Sequence, residues 1–151
     1  MSIAMKLVYK ILKVYWKITK PVTTGVRALL ITHNKVLLVK HTYQNHWYLP
    51  GGGVKKGELY HEAIKREIYE ELNGEIYDLT LFGVYNNFFE YKSDTVVIFY
   101  SNNFTFDINT SSEIENVCLF TLNALPNEIS PGSKRRIDEY LKSSFNNYGK
   151  W

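Results

Sequence analysis

A lone cysteine, Cys118, excludes an intrachain disulfide, and a reducing cytoplasmic compartment fits that usage. Long uninterrupted apolar runs are also missing. The first twenty residues, MSIAMKLVYKILKVYWKITK, come nearest. Lys6, Lys10, Lys13, Lys17 and Lys20 break every would-be run there, so this segment is no transmembrane span. No small-residue cleavage site follows it, and no signal peptide is expected. Repeats, domain linkers and low-complexity stretches are absent. A strong charge imbalance is lacking too. The formal charge of +3 is too mild to argue for a nucleic-acid binder, and no stable nucleic-acid partner is expected.

What is present suits one globular domain. The chain has 151 residues, 45% hydrophobic and 22% charged, enough to bury a core. Tyrosine and phenylalanine are plentiful and favour strands. In residues 1–20, Ile3, Leu7, Ile11, Val14, Tyr15 and Ile18 recur at helical spacing, with five lysines and no acid between them. This predicts a basic amphipathic helix that Pro21 ends. Packing on the domain or on a second copy, as in a homodimer, is the favoured reading. Weak contact with an anionic membrane surface is the alternative. Residues 21–145 form the expected domain and 146–151 a frayed tail.

Within the domain, Thr23 to Thr32 and Val36 to His41 read as strands joined by a turn at His33-Asn34-Lys35. Leu59 to Leu72 reads as a helix. Residues 75–90 hold one or two strands. Thr95 to Tyr100 (TVVIFY) is a continuous β-branched and aromatic run, expected at the sheet centre. Asn116 to Thr121 is a further strand. A last helix runs from Pro131 to Leu141, with proline at its first turn. The mixture predicts α+β or a three-layer α/β/α sandwich.

The segment Gly52 to Gly74, GGVKKGELYHEAIKREIYEELNG, carries the chemistry. Glu67, Glu70 and Glu71 stand at i, i+3 and i+4, on one side of a helix. Acids so crowded repel one another unless a cation offsets them. Carboxylate oxygens are hard ligands, which points to Mg²⁺ or Mn²⁺. The plain alternative is a solvated helix face in which Arg66 pairs Glu70 at i,i+4.

Gly52, five residues, Glu58, seven residues, Arg66-Glu67-Ile68, one residue and Glu70-Glu71 together resemble the Nudix hydrolase signature, G-x5-E-x7-R-E-U-x-E-E-x-G-U. The approach Trp47-Tyr48-Leu49-Pro50-Gly51-Gly52-Gly53 is similar to the family's as well. One position departs. Asn73 stands where the signature has glycine, and Gly74 where it has an aliphatic residue. Asparagine is the next best residue for a left-handed helix cap, and Gly74 offers the same one residue late. The resemblance implies an α/β/α sandwich around a mixed sheet. It also implies metal-dependent hydrolysis of a phosphoanhydride in a nucleoside diphosphate linked to another group. ADP-ribose, a nucleotide sugar and a nucleoside triphosphate all qualify as substrates. A non-catalytic nucleotide-sensing module of the same fold is the alternative.

By that resemblance Glu67, Glu70, Glu71 and the Gly51 carbonyl bind metal, and Glu67 is the first candidate to orient or deprotonate water. Arg66 belongs to the catalytic set, pairing Glu58 and holding Glu67 in its rotamer. Ile64, Ile68 and Leu72 form the stripe facing the sheet. A base outside the box would come from Glu90, Asp94, Glu113 or Glu115. Gly52 and Gly53 allow close approach of substrate. Arg27, a charge among apolar neighbours, meets a substrate phosphate or pairs with an acid. His41 precedes the glycine loop and is placed in the substrate set, against a plain structural role. Trp47 and Tyr48 are read as core before base-stacking platforms. Lys134, Arg135 and Arg136 are read as a solvated basic face with an acidic neighbour. Cys118 is read as an inert core residue.

Overall fold

The computed structural model describes residues 3–89, 91–107 and 112–151; among these it has three helices and seven strands. α1 (Ile3–Thr19) stops ahead of Pro21, whose ring cannot continue a helix. β1 (Val22–Thr32) and β2 (Lys35–His41) form a hairpin through His33 and Asn34, both at positive φ (47° and 60°). That geometry matches the twist of the paired strands. There follow β3 (Trp47–Tyr48), α2 (Tyr60–Leu72), β4 (Thr80–Phe89), β5 (Lys92–Ser101), β6 (Ile114–Thr121), α3 (Pro131–Leu141) and β7 (Asn147–Lys150). The described residues 75–89 thus supply one strand, with Ile76 in an isolated bridge to Phe104.

The sheet order is β3-β2-β1-β5-β4-β7, with β6 on β2. β1 and β5 run parallel at its centre, from Val22↔Ser93 to Leu30↔Ser101, so the TVVIFY run is central as its composition demanded. Alternate residues serve opposite faces. Val26, Ala28 and Leu30 join Ala63, Ile64, Ile68 and Leu72 of α2 in one core. Leu29 and Ile31 join Ile137 of α3 in the other, with Tyr140 packed against it. Each of these large side chains gains roughly 1.5–3 kcal/mol from burial. The two helices therefore cover opposite faces, giving the α/β/α sandwich. The same arrangement brings the loop after β3 to the N-terminal end of α3.

Several expectations fail for reasons beyond local pattern. Residues 146–151 are not frayed: β7 pairs in parallel with β4, from Gly83↔Asn147 to Asn86↔Lys150, and the Trp151 N–H donates to the Asn86 carbonyl at 2.8 Å. Arg136 is not solvated. It is 2% exposed, bonds Glu139 at 2.7 Å and stacks over the Tyr85 ring at 3.6 Å. Lys134 does stay outside, paired with Asp138 at 2.7 Å. Cys118 is exposed, because alternation along β6 turns Val117 and Leu119 into the α2 core instead. Trp47 packs edge-on against Phe120, as a core residue should. Finally, α1 does not bury its apolar stripe on the domain; Ile11 and Ile18 are 61% and 77% exposed.

Candidate active site

The glycine loop lies along β1 almost as another strand. Val26 N–H donates to the Gly52 carbonyl and Ala28 N–H to the Pro50 carbonyl, both at 2.9 Å, while Val54 N–H donates to the Thr24 carbonyl at 3.0 Å. This course presses the loop between β1 and α2. Gly51 has φ 131°, and a Cβ there would sit 2.2 Å from the Val26 carbonyl oxygen. A Cβ on Gly52 would sit 2.5 Å from Glu67 Oε2. Only glycine lets backbone and carboxylate come so close.

α2 begins where Glu62 Oε2 accepts from the Leu59 N–H at 3.2 Å. It ends on Asn73, whose φ of 45° and ψ of 38° are left-handed. Asparagine therefore does the glycine's job at the signature position, and Gly74 is not the cap. Gly74 instead lies so near the Thr105 carbonyl that a Cβ would come within 2.3 Å of it.

Arg66 organises the turn between these ends. Its Nε and Nη2 hold both oxygens of Glu58 at 2.7 and 2.9 Å, and Nη2 also donates to the Gly53 carbonyl at 3.0 Å. Its Nη1 donates to Glu67 at 2.7 Å and to Glu70 at 2.9 Å. Such bidentate pairing is strong and directional. It holds the Glu58 carboxyl down at about 2 and pushes the guanidinium pKa up. The donors of Arg66 are thus engaged by loop and helix.

The glutamates of the turn meet different surroundings. Glu70 is half exposed and shared by Arg66 and Lys55, the latter at 3.5 Å. Glu71 points inward. It is 7% exposed and accepts from the Gly51 N–H at 2.9 Å. Burial pushes its pKa up to about 7, although Arg27 and that hydrogen bond favour the charged form. His41 Nε2 stands 3.8 Å from Glu71 Oε1, and its Nδ1 is buried with no protein partner. Burial first, then Arg27, lower the His41 pKa, so the ring is neutral at pH 7. Arg27 Nη1 donates to the carbonyls of Leu49 and Gly51.

A cleft of about 840 Å³ opens beside this cluster, and Arg27, His41, Gly51, Gly52 and Gly53 all line it. Of the acids outside the box, Asp94 lines the cleft and accepts from Thr23 Oγ1 at 2.8 Å. Glu113 lies near enough to raise the pKa values of Tyr43 and Glu71. Glu115 is spent on Lys40 at 4.0 Å, and Glu90 lies outside the described residues. The cleft also holds Tyr43, Gln44, Asn87 and Trp151, which the sequence did not single out, and Arg135, expected on a solvated basic face, which lines it and donates to the Trp151 carbonyl. Only the aromatic at the end of the chain offered a signal for Trp151, and local patterning gave it no partner.

The group that would hold a hard divalent cation is Glu67, Glu70, Glu71 and the Gly51 carbonyl, oxygen donors throughout. A buried carboxyl such as Glu71, whose ionised form its burial disfavours, is the feature a cation would relieve. Among the described residues no three Asp, Glu, His or Cys side chains already form a metal cage. Glu70 would have to leave Lys55 and Arg66 to join one, Glu67 is likewise held by Arg66, and the Gly51 carbonyl already accepts from Arg27. The donor set fits the ion in chemistry, with Arg66 holding the acids in its place.

The chain belongs to the Nudix family: the NUDIX domain model matches residues 21–140. It is 36% identical over 58 residues to the RNA pyrophosphohydrolase of Aeromonas hydrophila subsp. hydrophila, a match covering 38% of this chain and 33% of that protein. It spans only 33–45% of the length of the curated relatives it matches. The MutT Nudix hydrolase of Burkholderia pseudomallei superposes with a TM-score of 0.71 at 22% identity, over 78% of this chain and 96% of that one. The MutT protein of Methanosarcina mazei Go1 does so with a TM-score of 0.71 at 22% identity, over 83% and 96%. These structures share its fold.

Proposed function

We propose that this chain is a metal-dependent pyrophosphohydrolase that uses water to cut a phosphoanhydride in a nucleoside diphosphate linked to another group. The observation that carries this reading is the buried Glu71, which with Glu67 lies directly behind Gly51 and Gly52, the glycines that line the cleft. A carboxylate is costly in such a place unless a cation shares it. Mg²⁺ or Mn²⁺, when bound, offsets phosphate charge and acidifies water.

The chain's own residues supply position. Arg66 fixes Glu67 in one rotamer and ties Gly53 to α2. Arg27 holds the Leu49 and Gly51 carbonyls, so the loop backbone stays rigid while the substrate binds. Glu67 is the proposed acceptor of the water proton, and Asp94 and Glu113 are the other carboxylates near the cleft. Attack forms one P–O bond as the anhydride P–O bond breaks, and the bridging oxygen leaves with its phosphate. His41 lines the cleft wall beside Glu71, with its Nδ1 turned into the protein. Positioning and charge stabilisation carry most of such a transfer.

The test is a substrate screen with Mg²⁺ and Mn²⁺ that reads released phosphate or nucleoside monophosphate. It includes ADP-ribose, nucleotide sugars and nucleoside triphosphates. The relatives named RNA pyrophosphohydrolase add an RNA bearing a phosphoanhydride. Turnover that E71Q and E67Q abolish supports the reading. Nucleotide binding without turnover of any substrate would replace it with the sensing module.

A further inference from the structure

α1 turns its apolar stripe away from the domain. Ile11, Val14, Tyr15 and Ile18 are 61%, 59%, 57% and 77% exposed, and with Lys10 they line an open groove of about 450 Å³. A different side of the helix meets the body. The Lys92 ammonium sits 3.8 Å from the centre of the Trp16 ring, and Lys17, at the border between that side and the stripe, has its ammonium 5.9 Å from the centre of the exposed Tyr91 ring. At helical spacing Lys10, Lys13 and Lys17 share the flank next to the stripe. Residues 1–20 carry five lysines and no acid.

We propose that α1 lies in the plane of an anionic phospholipid surface. Its partner must be apolar at its centre and negative around it. A leaflet meets both needs: Ile11, Val14 and Ile18 enter the acyl boundary, Tyr15 sits at the interface, and the lysines meet phosphate head groups. A second copy of the chain is a poor match, since it would double the lysine charge with no acid to offset it. Among the described residues no helix is long and apolar enough to cross a membrane, so the contact is peripheral. The proposal is independent of the hydrolase reading, because among the described residues none of α1 lines the cleft.

The experiment is co-sedimentation of the full chain with vesicles of phosphatidylglycerol mixed into phosphatidylcholine, against phosphatidylcholine alone. Binding is expected only with the anionic lipid, and it should weaken as salt rises above about 0.1 M. K10Q/K17Q keeps the helix amphipathic and should lower the partition coefficient roughly 30-fold, at about fivefold per lysine near the surface. I11D/I18D should abolish binding, with the fold checked by circular dichroism and by turnover of a soluble nucleotide. Equal binding to both vesicles, none to either, or no effect of both double variants overturns the proposal. So does a dimer in sedimentation equilibrium that I11D/I18D converts to monomer, which would assign the stripe to a second copy.

Discussion

Replacing Glu71 by glutamine should make the metal-free protein more stable while removing its activity. The carboxyl has a pKa near 7 in the folded chain against an ordinary value of 4.5, and burial is the main cause. An acid raised in this way favours folding below its unfolded pKa and loses that contribution as pH climbs through the folded value. The contribution of Glu71 should therefore fall steadily between about pH 4.5 and pH 7 and level off above. His41, whose pKa burial lowers, works in the opposite sense below its ordinary value, so the difference between parent and E71Q isolates Glu71. A difference of 2.5 pH units corresponds to about 3 kcal/mol at pH 8. Glutamine has no charge to bury, and its amide oxygen can still accept from the Gly51 N–H. E71Q should gain about 2–3 kcal/mol at pH 8, roughly 5–10 °C in midpoint for a domain of this size. At pH 5 the gain should shrink below about 1 kcal/mol, since most of the native carboxyl is already protonated there. Urea unfolding of both proteins in EDTA at the two pH values measures this, and Mg²⁺ should stabilise the parent but not E71Q. A gain in E71Q that is the same at pH 5 and pH 8, or a loss of stability in E71Q at both values, would falsify the account of Glu71 as a buried acid awaiting a cation.

Other outcomes follow from the same geometry. E70Q should keep its melting temperature within a few degrees yet lose about 100-fold or more in Mg²⁺-dependent turnover, as for the loss of several kcal/mol of metal stabilisation. R66K keeps the charge but not the fork that grips Glu58 and Glu67, so kcat should fall about tenfold or more with KM little changed in steady-state assays. N73G removes a left-handed asparagine and should shift stability by less than about 1 kcal/mol in chemical denaturation, with activity unchanged. G132A would drive a methyl group to 2.5 Å from the Trp151 ring, so it should cost about 1–3 kcal/mol and change tryptophan emission. That cost should largely vanish in a W151A background.

Much of this site is legible in one dimension because its spacing is helical. Ile64, Ile68 and Leu72 repeat every turn, and all three are buried against the sheet, which turns Glu67, Glu70 and Glu71 toward the loop. The hairpin at His33-Asn34 and the start of α3 at Pro131 depend on local backbone preference, and both stand where composition placed them. The errors share one character. Arg136 is buried because the Tyr85 ring reaches it only when α3 lies on β4, whereas its i,i+3 partner Glu139 stands on the same helix. Cys118 sits in a run of apolar letters, and the sheet edge alone determines which of its faces is covered. Gly74 looked like a spare cap, whereas it makes room for the Thr105 carbonyl from a strand-side loop.

By itself the order of residues determined that a loop of glycines precedes a helix with three acids on one turn. Local geometry and hydrophobic period suffice for that. Only the tertiary structure decided that these acids differ, with Glu71 buried beside Arg27 and His41 and Glu70 left with Lys55. A carboxylate's ionisation is set by the water it loses and the charges it meets, and here those come from β1 and β2, far away along the chain. The same holds for the last residues, whose pairing with β4 needs a partner edge that no local pattern announces.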